Sequence, residues 1–174
     1  PPWGIGALKM FDRLNSKMNN LEKKNVHWET FVHTFARIIS ECSHPNSIVI
    51  IEMGLRFSDF FVSVIENYTH FRMKQLFHTK YRGGGKLMPL HIMYFADKNE
   101  FTFNEDVVNG TTGMETVDSI VNQCAFDGAV ILDPCCGFGR TMKIAYKYDM
   151  IFRGNEINKK RLDKAIEFAE GKYE

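Results

Sequence analysis

The chain has 174 residues, of which 44% are apolar and 25% charged, and its formal net charge is +1. That length predicts one globular domain with a real core, and the near-neutral balance excludes a polycation, so attraction to nucleic acid would need a local patch. Cys42, Cys124, Cys135 and Cys136 form no Cys-x-x-Cys pair and no Cys/His ligand spacing, which argues against a zinc or other metal site and for reduced thiols inside a cell. No apolar run reaches membrane-spanning length, and no signal peptide opens the chain.

The chain begins Pro1-Pro2-Trp3-Gly4, a rigid turn, and a polar Asn/Lys-rich loop or lid covers Asn15 to Asn25. From His27 to Ser40, apolar Trp28, Phe31, Val32, Phe35, Ile38 and Ile39 recur at helical spacing, which predicts one buried helix face. Ser47 to Met53 is a β-branched run of the kind buried on both faces of a parallel sheet. Leu55 to Tyr68 predicts a second helix with Phe57, Phe60, Phe61, Val64 and Ile65 inward. Phe71 to Tyr81 and Met88 to Phe95 read as a strand and its return, joined through Gly83-Gly84-Gly85. The stretch from Asn99 to Gly113 is polar and irregular, and Glu115 to Cys124 is a short helix. Next come a strand at Ala129 to Leu132, a glycine loop, a helix at Arg140 to Tyr148, a strand at Met150 to Gly154 and a helix at Lys159 to Glu170. That order is a βαβα unit, which implies parallel strands.

The loop Asp133-Pro134-Cys135-Cys136-Gly137-Phe138-Gly139 follows a buried strand. A ligand at the carboxyl end of that strand needs close access to backbone, and Gly137 and Gly139 supply it because a Cβ would block the approach. Glu156, about 20 residues further on, closes the next strand, where a carboxylate accepts hydrogen bonds from both hydroxyls of a ribose. A dinucleotide fold would want a third glycine where Met142 stands, and no Gly-Lys-Ser/Thr follows to make a phosphate-binding loop.

The run Val130-Ile131-Leu132-Asp133-Pro134-Cys135-Cys136-Gly137-Phe138-Gly139-Arg140-Thr141, followed by Gly154-Asn155-Glu156-Ile157-Asn158, resembles the cofactor-binding half of the S-adenosylmethionine-dependent amino-methyltransferases of DNA. These enzymes act on adenine N6 or cytosine N4. Cys135 and Phe138 replace the family's commoner Phe and Ser. The resemblance implies S-adenosylmethionine as cofactor, with Asp133 facing its ammonium side and Glu156 holding its ribose. Pro134, Cys135, Cys136, Gly137, Gly139, Ile157 and Asn158 would complete the pocket. Pro1-Pro2-Trp3-Gly4 resembles the family's catalytic Asp/Asn/Ser-Pro-Pro-aromatic turn. An exocyclic amine is a poor nucleophile because its lone pair is delocalised into the ring. Rigidly held acceptors that take its hydrogens free that pair, while Trp3 stacks on a base taken out of the helix.

The catalytic turn precedes the cofactor loop, as in one permuted class of these enzymes. The resemblance therefore implies a Rossmann-like α/β methyltransferase fold in circularly permuted order. Its sheet would be mostly parallel with a terminal antiparallel hairpin, and its third and catalytic strands would lie upstream of Pro1. Residues 1–174 would be a single domain, with the catalytic half at 1–98 and the cofactor-binding half at 99–174. Between Phe71 and Lys86 every charge is positive: Arg72, Lys74, Lys80, Arg82 and Lys86, with Tyr81, Phe77, His70 and His78 interleaved. Such a hairpin suits a phosphate backbone, although lysines also guard sheet edges against aggregation. The lid, with Lys17, Lys23 and Lys24, is a second candidate contact. The expected function is methyl transfer to adenine N6 in a nucleic acid, with DNA ahead of RNA. Cytosine N4, an RNA adenine target, a non-catalytic S-adenosylmethionine-binding subunit and a methyltransferase for protein or small-molecule amines are the alternatives. A partner subunit or homodimer is compatible with the sequence, and an intracellular location is expected.

Overall fold

The protein is described by a computed structural model covering residues 8–10, 13, 16, 27–83 and 85–171. Pro1, Pro2, Trp3 and Gly4, and the lid apart from Ser16, lie outside the described residues. The chain divides into two compact units, the first ending at Thr112 and the second beginning at Gly113, which also take in short stretches near the start of the chain.

In the first unit, helix α1 (Trp28–Cys42) leads to strand β1 (Val49–Gly54), helix α2 (Leu55–Tyr68), strands β2 (Arg72–Gly83) and β3 (Lys86–Ala96), and a short helix α3 (Glu105–Val108). The apolar stripe of α1 is buried at Trp28, Val32, Phe35 and Ile39. It joins Phe61, Val64 and Ile65 of α2, and Ile51, Met53, Met93 and Phe95 of the sheet, in one core. Its aromatic side chains meet at close range, with Phe35 edge-on to Phe61 at 5.7 Å and Trp28 against Phe57 at 5.3 Å. Phe60, expected to point inward, is instead 37% exposed, because it sits about 100° round the helix from Phe61 and off the buried stripe.

The three strands lie in the order β1-β3-β2, and both ladders are antiparallel. The Ser47–Met53 strand was expected in a parallel ladder, yet β1 pairs antiparallel with β3, Ile51 opposite Met93. The return strand β3 inserts between β1 and β2, and neither β-branched composition nor burial encodes the direction of a partner. Gly83 belongs to β2, where it pairs with Lys86 of β3, and Gly85 takes the positive φ of +80° that a tight hairpin turn favours. The polar stretch read as irregular contains α3, because the Asn104 side chain accepts the Asp106 N–H at 3.1 Å as an N-cap. The following residues run along β2, where Asn109 Oδ1 accepts from His78 N–H at 2.8 Å and Thr111 O accepts from Lys80 N–H at 3.0 Å. This satisfies backbone groups that an edge strand would otherwise leave open.

In the second unit, helix α4 (Met114–Cys124) precedes strand β4 (Val130–Asp133), helix α5 (Arg140–Lys147), strand β5 (Ile151–Gly154) and helix α6 (Lys159–Ala169). β4 and β5 are parallel, with Val130 opposite Ile151 and Asp133 opposite Gly154. One face of the pair packs Ala129, Ile131, Met150 and Phe152 against Val121, Ile144 and Ala145. Among the described residues, no helix is long and apolar enough to cross a membrane.

Candidate functional site

The glycine loop grows out of the carboxyl end of β4. Asp133, the last residue of that strand, accepts hydrogen bonds with both oxygens, one from the loop and one from α5. Oδ1 accepts from the Cys135 backbone N–H at 2.9 Å, and Oδ2 accepts from the Thr141 hydroxyl at 2.7 Å. The first bond folds the loop back on the strand, and the second ties it to the first turn of α5. Cys136 N–H donates to Asn155 O at 3.0 Å and Asn155 N–H to Asp133 O at 3.0 Å, so the ends of the two parallel strands are stitched together. Thr141 had a place in the motif but no role. Its signal was a hydroxyl in the first turn of a helix and eight positions after an acidic strand terminus.

Gly137 (φ +57°) and Gly139 (φ +76°) are both in the left-handed region, so the loop conformation itself favours glycine. They differ in what a side chain would meet. A Cβ on Gly139 would come within 2.8 Å of Met142 Cε and 3.2 Å of Ala165 Cβ, so that glycine lets α5 and α6 pack closely. A Cβ on Gly137 would find only Glu156 Oε2, at 4.0 Å. The space above Gly137 is therefore a cradle with a carboxylate oxygen beside it.

Glu156 lies just beyond β5. Its Oε1 accepts from the Asn158 N–H at 2.7 Å, which fixes the carboxylate while its other oxygen faces the loop. Asn158, expected in the cofactor pocket, is buried and caps α6, its Oδ1 accepting from Arg161 N–H at 3.2 Å. Ile157 is 67% exposed beside Glu156. Cys136 is buried, and desolvation together with the nearby Asp133 and Glu156 carboxylates pushes its thiol up to about 11. A thiol so protonated at neutral pH is a packing group rather than a nucleophile or one half of a redox pair with Cys135. Phe138 projects into solvent with the Arg161 guanidinium 5.3 Å and the Lys164 ammonium 5.8 Å from its ring centre.

Asp133, Gly137 and Glu156 thus come together at the end of the parallel pair. The expected nucleic-acid contacts divide. Lys80, Arg82 and Lys86 sit towards the β2–β3 turn and are exposed, with half-buried Tyr81 among them, whereas Phe77 is fully buried. Arg72 lies at the far end of β2, where its guanidinium donates to the carbonyls of Glu66, Thr69 and Phe71 at 2.9 to 3.1 Å. It clasps the carboxyl end of α2, a use of arginine that relieves unpaired helix carbonyls. Lys74 is exposed near the same end.

No protein-family model and no curated protein sequence matches the chain. Solved structures do. The crystal structure of the M1.HpyAVI–SAM complex superposes with a TM-score of 0.68 at 17% identity, over 82% of this chain and 83% of that one. TTHA0409 of Thermus thermophilus, a putative DNA modification methylase, superposes in complex with S-adenosyl-L-methionine with a TM-score of 0.61 at 14% identity. That match covers 97% of this chain and 81% of the other. The chain has a methyltransferase-like fold. At such identities the shared property is the path of the backbone, and the side chains at the site carry the argument about chemistry.

Proposed function

We propose that the chain is an S-adenosylmethionine-dependent methyltransferase acting on the exocyclic N6 amino group of adenine in DNA. The observation that carries this reading is the pairing of Gly137 with the inward Oε2 of Glu156 at the carboxyl end of two parallel strands. A ribose edge suits that arrangement, because its hydroxyls can donate to a carboxylate while bare backbone admits the rest of the ligand. Exposed Ile157 offers an apolar surface for an adenine ring beside the ribose acceptor. Two solved structures of this fold are S-adenosylmethionine complexes, one of them of a putative DNA modification methylase, which supports the same cofactor and the same polymer here.

S-adenosylmethionine supplies an electrophilic methyl group on a sulfonium. The residues of this chain divide the remaining work. Glu156 fixes the ribose. The 133–139 loop, held by Asp133 and Thr141, presents backbone to the ligand. By resemblance, the Pro1-Pro2 turn sets acceptors against the target amine and Trp3 stacks on the base, in the permuted order with the catalytic half first. Preorganised acceptors of this kind need no reorganisation at the moment of transfer.

Equilibrium binding tests the cofactor site. Gly137→Ala should fold, losing about 1–2 kcal/mol of stability for a non-glycine residue in the left-handed region, since its Cβ meets nothing closer than 4.0 Å. The same methyl group enters the space assigned to the ligand, so S-adenosylmethionine should bind the variant about 5- to 10-fold more weakly, roughly 1.0–1.4 kcal/mol. Unchanged affinity by calorimetry in the folded variant would move the ligand away from this loop.

A further inference from the structure

Residues 67–96 contain no Asp or Glu but five Lys and Arg residues, and β2 and β3 fold this stretch into one hairpin. Side chains alternate along each strand, and residues opposite one another share a face. The register sets Arg82 opposite Leu87, Lys80 opposite Pro89 and Tyr81 opposite Met88. One face near the turn therefore carries Lys80, Arg82 and Leu87, and the other carries Tyr81, Lys86 and Met88. Leu87 is 49% exposed and Met88 52%. Lys80, Arg82 and Lys86 make no ion pair among the described residues. The hairpin is held as far out as Lys80 by its bond to Thr111 O, so the turn residues are presented from a fixed base.

An exposed leucine flanked by cations without an ion pair among the described residues, on an acid-free hairpin, suits a polyanion with an apolar interior. Duplex DNA is such a partner, with phosphates outside and stacked bases within, and apolar side chains that enter between base steps part the stack. Resting on the proposed function, we propose that Leu87 enters duplex DNA as an apolar wedge while Lys80 and Arg82 hold the neighbouring phosphates. Unstacking costs a few kcal/mol in duplex and far less in single strands, so the contribution of Leu87 is confined to duplex substrate.

The test measures labelled methyl transfer by the full-length protein to one unmethylated DNA fragment, supplied native or heat-denatured. Leu87→Ala should lower kcat/KM on native DNA at least tenfold, leave denatured DNA within twofold, and be rescued by Leu87→Phe. Lys80→Ala with Arg82→Ala should weaken both substrates and flatten the dependence of binding on salt. Leu87→Ala with unchanged activity on native DNA, or with equal loss on both forms, would overturn the wedge alone. Wild-type protein active only on denatured DNA would overturn it too. Wild-type protein that binds S-adenosylmethionine but methylates neither form would overturn the proposed function and the wedge with it.

Discussion

Asp133→Ala should unlock the glycine loop and weaken S-adenosylmethionine binding by at least tenfold. The carboxylate accepts one bond from the Cys135 N–H and one from the Thr141 hydroxyl, and a hydrogen bond to a charged group contributes about 1.5–3 kcal/mol. Both donors lose their acceptor together, and the backbone donor belongs to the loop that the proposed function assigns to the ligand. The expected loss of stability is about 3 kcal/mol, read from denaturant unfolding. Asp133→Asn separates charge from shape. Its carbonyl oxygen can still accept from the Cys135 N–H, and its NH2 group can donate to the Thr141 hydroxyl, which turns to accept, so this isosteric change loses the charge but keeps both bonds and should recover much of the loss. Thr141→Ala removes one of the two bonds and should fall between the wild type and Asp133→Ala. If Asp133→Ala left both unfolding and affinity unchanged, the loop would be held by something other than this carboxylate.

Glu156→Ala should cost roughly 2–3 kcal/mol of cofactor affinity, or about 30- to 150-fold in Kd, with a smaller effect on folding. Only one oxygen of this carboxylate is committed to the protein, through the Asn158 N–H at 2.7 Å. The other lies 4.0 Å from the position a Cβ would take on Gly137 and is the one assigned to the ribose hydroxyls. Glu156→Gln keeps the size and one oxygen but offers a donor where an acceptor is required, so it should bind S-adenosylmethionine nearly as poorly as the alanine variant. A 2′-deoxy analogue of the cofactor should lose affinity on the wild type but little further on Glu156→Ala, because the variant has no acceptor left to lose. Equal losses on both proteins would separate Glu156 from the ribose.

The helices and strands were legible because their signals are local. Trp28, Val32, Phe35 and Ile39 share a helical stripe, and the Gly137–Gly139 loop between a strand and a helix fixes its own surroundings within a few residues. Pairing direction was not legible for β1, because β3 lies about 40 residues away and only the assembled sheet places it opposite Ile51. Phe60 misled because hydrophobicity alone does not say which side of a helix meets the core, and a phenylalanine one position off the stripe looks the same in a list. At the site, Gly137 and Glu156 could be paired in advance by strand-loop-helix-strand logic. The bonds of Asp133 to its own loop could not, since they depend on how α5 starts. Arg72 read as one more cation in a basic run until the end of α2 and the link after it supplied the carbonyls of Glu66, Thr69 and Phe71 for it. Its position four residues after the last residue of α2 was the signal available beforehand.

The central claim is methyl transfer to adenine N6 in DNA, and isotope-labelled S-adenosylmethionine tests it most directly. Full-length protein would be incubated with unmethylated single- and double-stranded DNA and RNA, and the products digested to nucleosides and identified by mass. The account predicts label in N6-methyldeoxyadenosine. Label in N4-methyldeoxycytidine or in RNA adenosine would contradict the assigned target, and no label in any base while the cofactor still binds would contradict the assignment of the chain as an enzyme.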